Sequence, residues 1–238
     1  MPQIFETIAI WAVPVLFAIT LHEAAHGWVA SMLGDQTARR MGRITMNPLR
    51  HIDPFGTVIL PLMMLFTFGI AFGAAKPVPV DPRNFKQPQL DMALVALAGP
   101  ASNFVMACFW AAMITLSLYV VQDKQIAVLM FKLGQAGVAV NVLLMSLNLL
   151  PIPPLDGGKV VAGIMPPTMA ASFSKLERYG IIILVVLIAL ELTTSMRIFS
   201  TMIFMLVKPF MIILETLSLI HISEPTRLLV QSRMPSSA

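Results

Sequence analysis

Five stretches of the chain stay apolar long enough to cross a bilayer: residues 5–33, 90–121, 126–150, 176–194 and 198–220. A hydrocarbon layer of ~30 Å needs ~20 helical residues. A soluble fold of 238 residues has too little interior to hide them all. Charged residues make up only 12% of the chain, about half the share usual in soluble domains, so a disordered chain is excluded as well. Cys108 is the only cysteine, which removes a disulfide scaffold. The sequence therefore predicts an all-α polytopic membrane protein with the lipid bilayer as its solvent. Its net charge of +4 bears on orientation in that bilayer, and no nucleic-acid partner is expected.

A sixth run, residues 56–75, contains Gly56, Pro61, Gly69 and Gly73, which argue against one straight helix. Arg39, Arg40, Arg43 and Arg50 precede it, and Lys76, Arg83 and Lys86 follow it. Both flanks thus carry the basic signature of cytoplasmic loops, and the run is expected to re-enter rather than cross. With five crossings the N-terminus lies outside and the C-terminus inside. Of the 16 Lys and Arg, only Lys124, Lys132, Arg197 and Lys208 then fall away from the cytoplasmic side. The first run has no basic residue before it and is too long for a cleaved signal peptide.

Residues 1–220 read as a single domain. Within it, Arg43, Ile44, Thr45, Met46 and Asn47, and then residues 77–80, are extended in pattern and bounded by Pro and Gly, so a small membrane-surface β insertion is expected. Residues 221–238 are polar and unpatterned, and are expected to be a non-functional or foreign tail.

The first apolar run carries His22-Glu23-Ala24-Ala25-His26. On a helix the two histidines lie ~40° apart on one face and one turn apart in height, so their imidazoles can share a tetrahedral zinc. Glu23 is placed to take a proton from a water activated by that metal. A lone buried histidine is usually just a hydrogen-bonded core residue. Three ionisable side chains within five residues of an apolar span are harder to dismiss, because each costs ~2–3 kcal/mol unless paired or coordinated.

Zinc needs a third protein ligand. The metzincin extension fails, because Met32 occupies the position of its third histidine, and the gluzincin pattern fails, because no Glu lies between Glu23 and Glu177. Asp35, Asp53, Asp81 and Asp123 read as ordinary solvated loop residues, and Asp91 as an acid opening a helix. Asp156 differs. It follows Asn148-Leu-Leu-Pro-Ile-Pro-Pro-Leu and precedes Gly157-Gly158. Three prolines must break the helix there, and helix-breaking at membrane depth marks a cavity. Taken alone the loop is as well read as a structural turn; the orphan histidine pair favours Asp156 as the ligand.

The two motifs together resemble the site-2 protease family, intramembrane zinc metalloproteases of peptidase family M50. Asn148, Pro151, Asp156 and Gly157 fall at the family's N-x-x-P-x-x-x-x-D-G spacing. Residues 42–56, 76–85 and 98–103 are similar to its compact branch, which lacks PDZ and CBS modules. The resemblance implies that His22, His26 and Asp156 bind one Zn2+, that Glu23 is the general base, and that Asn148 binds substrate or the developing oxyanion. It implies a transmembrane protein as substrate and a multi-pass cell-membrane location, with the active site towards the cytoplasm. The segment Arg43 to Asn47 would either offer a strand edge to an unwound substrate or belong to a surface hairpin that only covers residues 56–75. Asn103 and Asn141 are read as polar glue between helices. Oligomeric state stays open. A prenyl-protein type of membrane zinc protease and a non-proteolytic metal-binding transporter remain as alternatives.

Overall fold

The computed structural model describes residues 2–51, 53, 59, 76–194 and 197–218; the expected re-entrant run, apart from residue 59, and the tail at 221–238 lie outside the described residues. Helix α1 spans Pro2–Met32 and is followed by a single helical turn, α2, at Thr37–Arg40. Pro88 opens α3 (Pro88–Tyr119), where its missing N–H costs nothing, and the Asp91 carboxylate accepts the Gln87 N–H at 2.9 Å. Asp123 caps α4 (Lys124–Asn148) by accepting the N–H groups of Gln125 and Ile126. Proline at 151, 153 and 154 stops that helix. The chain restarts as α5 (Asp156–Ile164) and α6 (Pro167–Ser174), makes a 3-10 turn at Lys175–Tyr179, and ends with α7 (Gly180–Thr193) and α8 (Ile198–Ser218).

Among the described residues, three helices are long and apolar enough to cross a membrane: Glu6–Met32, Pro88–Tyr119 and Lys124–Asn148. The expected five crossings are therefore matched in part. The run at 176–194 is divided between a 3-10 turn and α7, whose 14 residues reach only ~21 Å. The core lies where α3 and α4 meet. Trp110 and Ile114 of α3 pack with Phe131, Val138 and Met145 of α4, and Leu214 of α8 seats against them. Gly134 and Gly137 bring the two helices together: a methyl at Gly137 would lie 2.2 Å from the Trp110 ring. Small residues at such contacts are how apolar helices associate in lipid.

The expected β insertion is corrected: no strand forms among the described residues. Ile44 to Met46 make bends, and residues 76–81 have no regular secondary structure. The side chains explain this. Thr45 Oγ1 accepts the Asn47 N–H, and Asn47 in turn caps the 3-10 turn Pro48–Arg50 by accepting the Leu49 N–H. Such local bonds compete with a ladder. The two segments are joined instead by buried Arg43, whose guanidinium donates to the carbonyls of Lys76 at 2.8 Å and Pro77 at 3.4 Å.

Asp35 is a second correction. Expected in solvent, it is wholly buried. It accepts the Thr37 N–H and hydroxyl, the Asp81 N–H and the Asn84 amide, and so ties the end of α1 to residues 81–84. Burial alone would raise its pKa; these donors outweigh it and hold the carboxyl below the usual aspartate range.

Candidate metal centre

One turn of α1 and the first residue of α5 bring His22, His26 and Asp156 together, all buried. The Nε2 atoms of the two histidines are 3.1 Å apart, and Asp156 Oδ2 lies 3.1 Å from one and 3.2 Å from the other. Their protonation follows from their other contacts. His26 Nδ1 is 2.7 Å from the Val95 carbonyl, which can only accept, so that nitrogen carries the ring proton. His22 Nδ1 meets the Asn103 side-chain oxygen at 2.6 Å. Both Nε2 atoms therefore aim lone pairs inward, at each other and at a carboxylate oxygen.

Three acceptors converging without a donor repel one another; a cation resolves the conflict. Donors held at ~2.0–2.1 Å on a tetrahedral zinc stand ~3.3 Å apart, close to the observed triangle. Two imidazoles and a carboxylate are a catalytic zinc set, with the fourth position left open, and the residues present fit that ion. Each imidazole also hands its second nitrogen to an oxygen acceptor, the usual way a metal-binding histidine is oriented.

The backbone around the triangle is built for close approach. A methyl at Gly99 of α3 would lie 2.5 Å from atoms of both imidazoles. One at Gly157 would lie 2.4 Å from the carbonyl oxygens of Leu149 and Leu150. The glycine after Asp156 thus lets α5 start against the C-terminal end of α4 and present the carboxylate to α1.

A cavity of about 510 Å³ opens beside the triangle, lined by Glu23, Val78, Asn148 and Lys159 among others. Glu23 accepts the Val78 N–H at 2.9 Å. Pro77 and Pro79 flank Val78 and have no N–H, so this tripeptide's single donor is spent on Glu23. Asn148 donates to the Leu144 carbonyl at 3.0 Å. Lys159 stands over the carboxylate oxygen that faces away from the histidines, with Nζ 3.3 Å from Asp156 Oδ1.

Of the residues singled out in the sequence, His22, Glu23, His26, Asn148 and Asp156 meet at this cavity; Arg43, Ile44, Thr45, Met46 and Asn47 are not among its lining residues. Ile44 lies instead beside Gly27 on α1. Sequence reasoning passed over Gly99, Val78 and Lys159, and it took Asn103 only as glue. Asn103 lies four residues after Gly99 in α3 and so on nearly the same helix face, but only the structure shows that this face meets the histidines.

Residues 10–128 match the model of the family described as "Peptidase family M50". The chain is 36% identical over 178 residues to the protein of Bacillus subtilis named "Putative zinc metalloprotease YwhC", an overlap of 74% of this chain and 78% of that one. Two mycobacterial proteins named "Putative zinc metalloprotease Rip2" are also similar. That of Mycolicibacterium smegmatis is 30% identical over 73% of this chain and 64% of its own length. That of Mycobacterium tuberculosis is 31% identical over 72% and 63%. No solved structure matches the chain.

Proposed function

The chain belongs to peptidase family M50 and is a zinc metalloprotease, and from that premise we propose that it cuts peptide bonds of transmembrane segments inside the bilayer. One observation carries the reading. The acceptor triangle sits on an apolar helix long enough to span, Glu6–Met32, and opens on a cavity with Glu23 and Asn148 in its wall. His22 is ten residues short of Met32, which places it ~15 Å along α1 from that end. Soluble proteases have no need to bury their chemistry in a membrane helix.

Zinc supplies Lewis acidity there, lowering the pKa of a bound water towards ~7 and polarising the scissile carbonyl. Glu23 takes the proton of the attacking water and returns it to the leaving amine. The Val78 N–H holds one of its oxygens and fixes the carboxylate at the cavity wall. Asn148 hydrogen-bonds the substrate main chain or the developing oxyanion. A helical substrate hides its amides in i→i−4 bonds and must unwind to be cut. Residues 77–80, rather than Arg43 to Asn47, are what an unwound segment meets, since Pro77, Val78 and Val80 line the cavity.

The orientation follows from charge. The basic residues of 39–50 and 76–86 gather at the end of α1 nearest the triangle, and short basic loops are cytoplasmic. The site therefore faces the cytoplasmic side of a cell membrane.

Glu23→Gln tests the function. Purified protein is expected to keep one zinc while cleavage falls by at least ~10²-fold, the usual scale for a lost general base. In membranes carrying this variant, proteomics against wild type should show a transmembrane fragment that accumulates. Wild-type cleavage by zinc-loaded Glu23→Gln would remove Glu23 as the base. A fragment set confined to soluble proteins would remove the intramembrane substrate.

A further inference from the structure

His22 and His26 are oriented by unlike means. His26 leans on one main-chain carbonyl, that of Val95. His22 leans on a side-chain amide, and an amide can point either way. Something must choose its direction.

Starting from the far end, the Gly137 carbonyl of α4 can only accept, so Asn141 turns its NH2 group to it at 2.8 Å. That leaves the Asn141 oxygen facing Asn103, whose NH2 group donates to it at 3.0 Å and to the Ala18 carbonyl of α1 at 3.3 Å. The Asn103 oxygen is then the only atom left for His22 Nδ1, at 2.6 Å. A ring proton on Nδ1 leaves the Nε2 lone pair for the metal. Each asparagine is fixed by a main-chain carbonyl, so neither can flip without setting donor against donor. Both are fully buried, so no bulk water can take over a lost bond.

We propose that Asn141 and Asn103 form a one-way hydrogen-bond relay, running from α4 through α3 to α1, that fixes His22 in its metal-binding tautomer and orientation. Asn141 is then a positioning residue for a metal it does not touch. The inference rests on the zinc assignment but on no assumption about where the substrate lies. Metal affinity is coupled through the relay to the packing of α3 on α4, the core of the bundle.

The test is zinc affinity by chelator competition in purified Asn141→Leu and Asn141→Ala proteins, with the visible spectrum of the cobalt-substituted forms as a second readout. Losing a partner outside the ligand shell weakens metal binding ~10–100-fold; for Asn141, one bond further out, the expected loss is about tenfold, with shifted cobalt bands. Asn141→Asp should restore both. In that apolar surrounding the carboxyl stays neutral and offers one donor and one acceptor at the same two places. Wild-type affinity and an unchanged cobalt spectrum in either the Leu or the Ala variant would overturn the relay. So would an Asp variant as weak as the other two, which would make Asn141 a packing residue. Because neither readout involves proteolysis, an active Glu23→Gln enzyme would sink the proposed base and leave this result standing.

Discussion

Asp35 and Asp156 are both buried near α1, 0% and 5% exposed, yet their surroundings are built in opposite ways. Asp35 is met by donors alone: an N–H at 3.0 Å, another at 2.8 Å, an amide at 2.7 Å and the Thr37 hydroxyl. The protein itself satisfies that charge. Asp156 offers one oxygen to two nitrogen lone pairs at 3.1 and 3.2 Å, and among the described residues only the Lys159 ammonium, at 3.3 Å, donates to the other. A buried acid ringed by N–H and O–H groups is a structural tie. One ringed by further acceptors is unfinished until a cation arrives, and that is what distinguishes a site from a strut.

The sharpest way to break this distinction is to remove each carboxylate in turn. Asp156→Ala should lower zinc affinity by orders of magnitude, since one of three protein ligands is gone. Asp35→Ala should bind a full equivalent of zinc but lose ~3 kcal/mol of stability, because buried donors are left unsatisfied. Metal analysis and thermal unfolding of the two proteins decide it. If folded Asp35→Ala proved as empty of zinc as Asp156→Ala, the two aspartates would not differ in kind.

A smaller effect is expected at Gly99. Overpacking costs ~1–3 kcal/mol, and a methyl 2.5 Å from both imidazoles should spend much of that in moving them off the metal. Gly99→Ala is expected to bind zinc about tenfold more weakly by chelator competition. Unchanged affinity would mean that α3 yields more readily than the packing suggests.

Lys159 should matter least. Its side chain is 39% exposed, and ion pairs of that kind contribute ~0.2–1 kcal/mol. Lys159→Met is expected to weaken zinc binding by no more than about fivefold. A loss as large as that of Asp156→Ala would show that the ammonium, and not the metal, is what finishes the aspartate.

Much of the centre was legible in the sequence because its signals are local. The histidine pair follows from the pitch of one helix, and Asp156 stands out because three prolines and two glycines mark a break in an apolar run. Asp35 was misread because nothing beside it in sequence shows that donors from Asp81 and Asn84, some 46 and 49 residues on, close over it. Asn103 and Asn141 were seen as polar and buried, but the direction of a buried amide is set by which carbonyls it meets, and those belong to other helices. Arg43 to Asn47 have a strand-like pattern. Pattern alone does not make a ladder: Thr45 and Asn47 spend their side chains on their own backbone, and Pro77 and Pro79 can give no N–H to a partner.

The distance along the chain between the ligands has a consequence for the newborn protein. His22 and His26 belong to the first span, whereas Asp156 follows His22 by 134 residues and lies beyond two more membrane-length helices. At ~5–20 residues per second a ribosome needs on the order of ten seconds to cover that stretch. Until then the chain holds two of the three zinc ligands. The third ligand comes only with Asp156, so a chain cut short before that residue lacks the complete set.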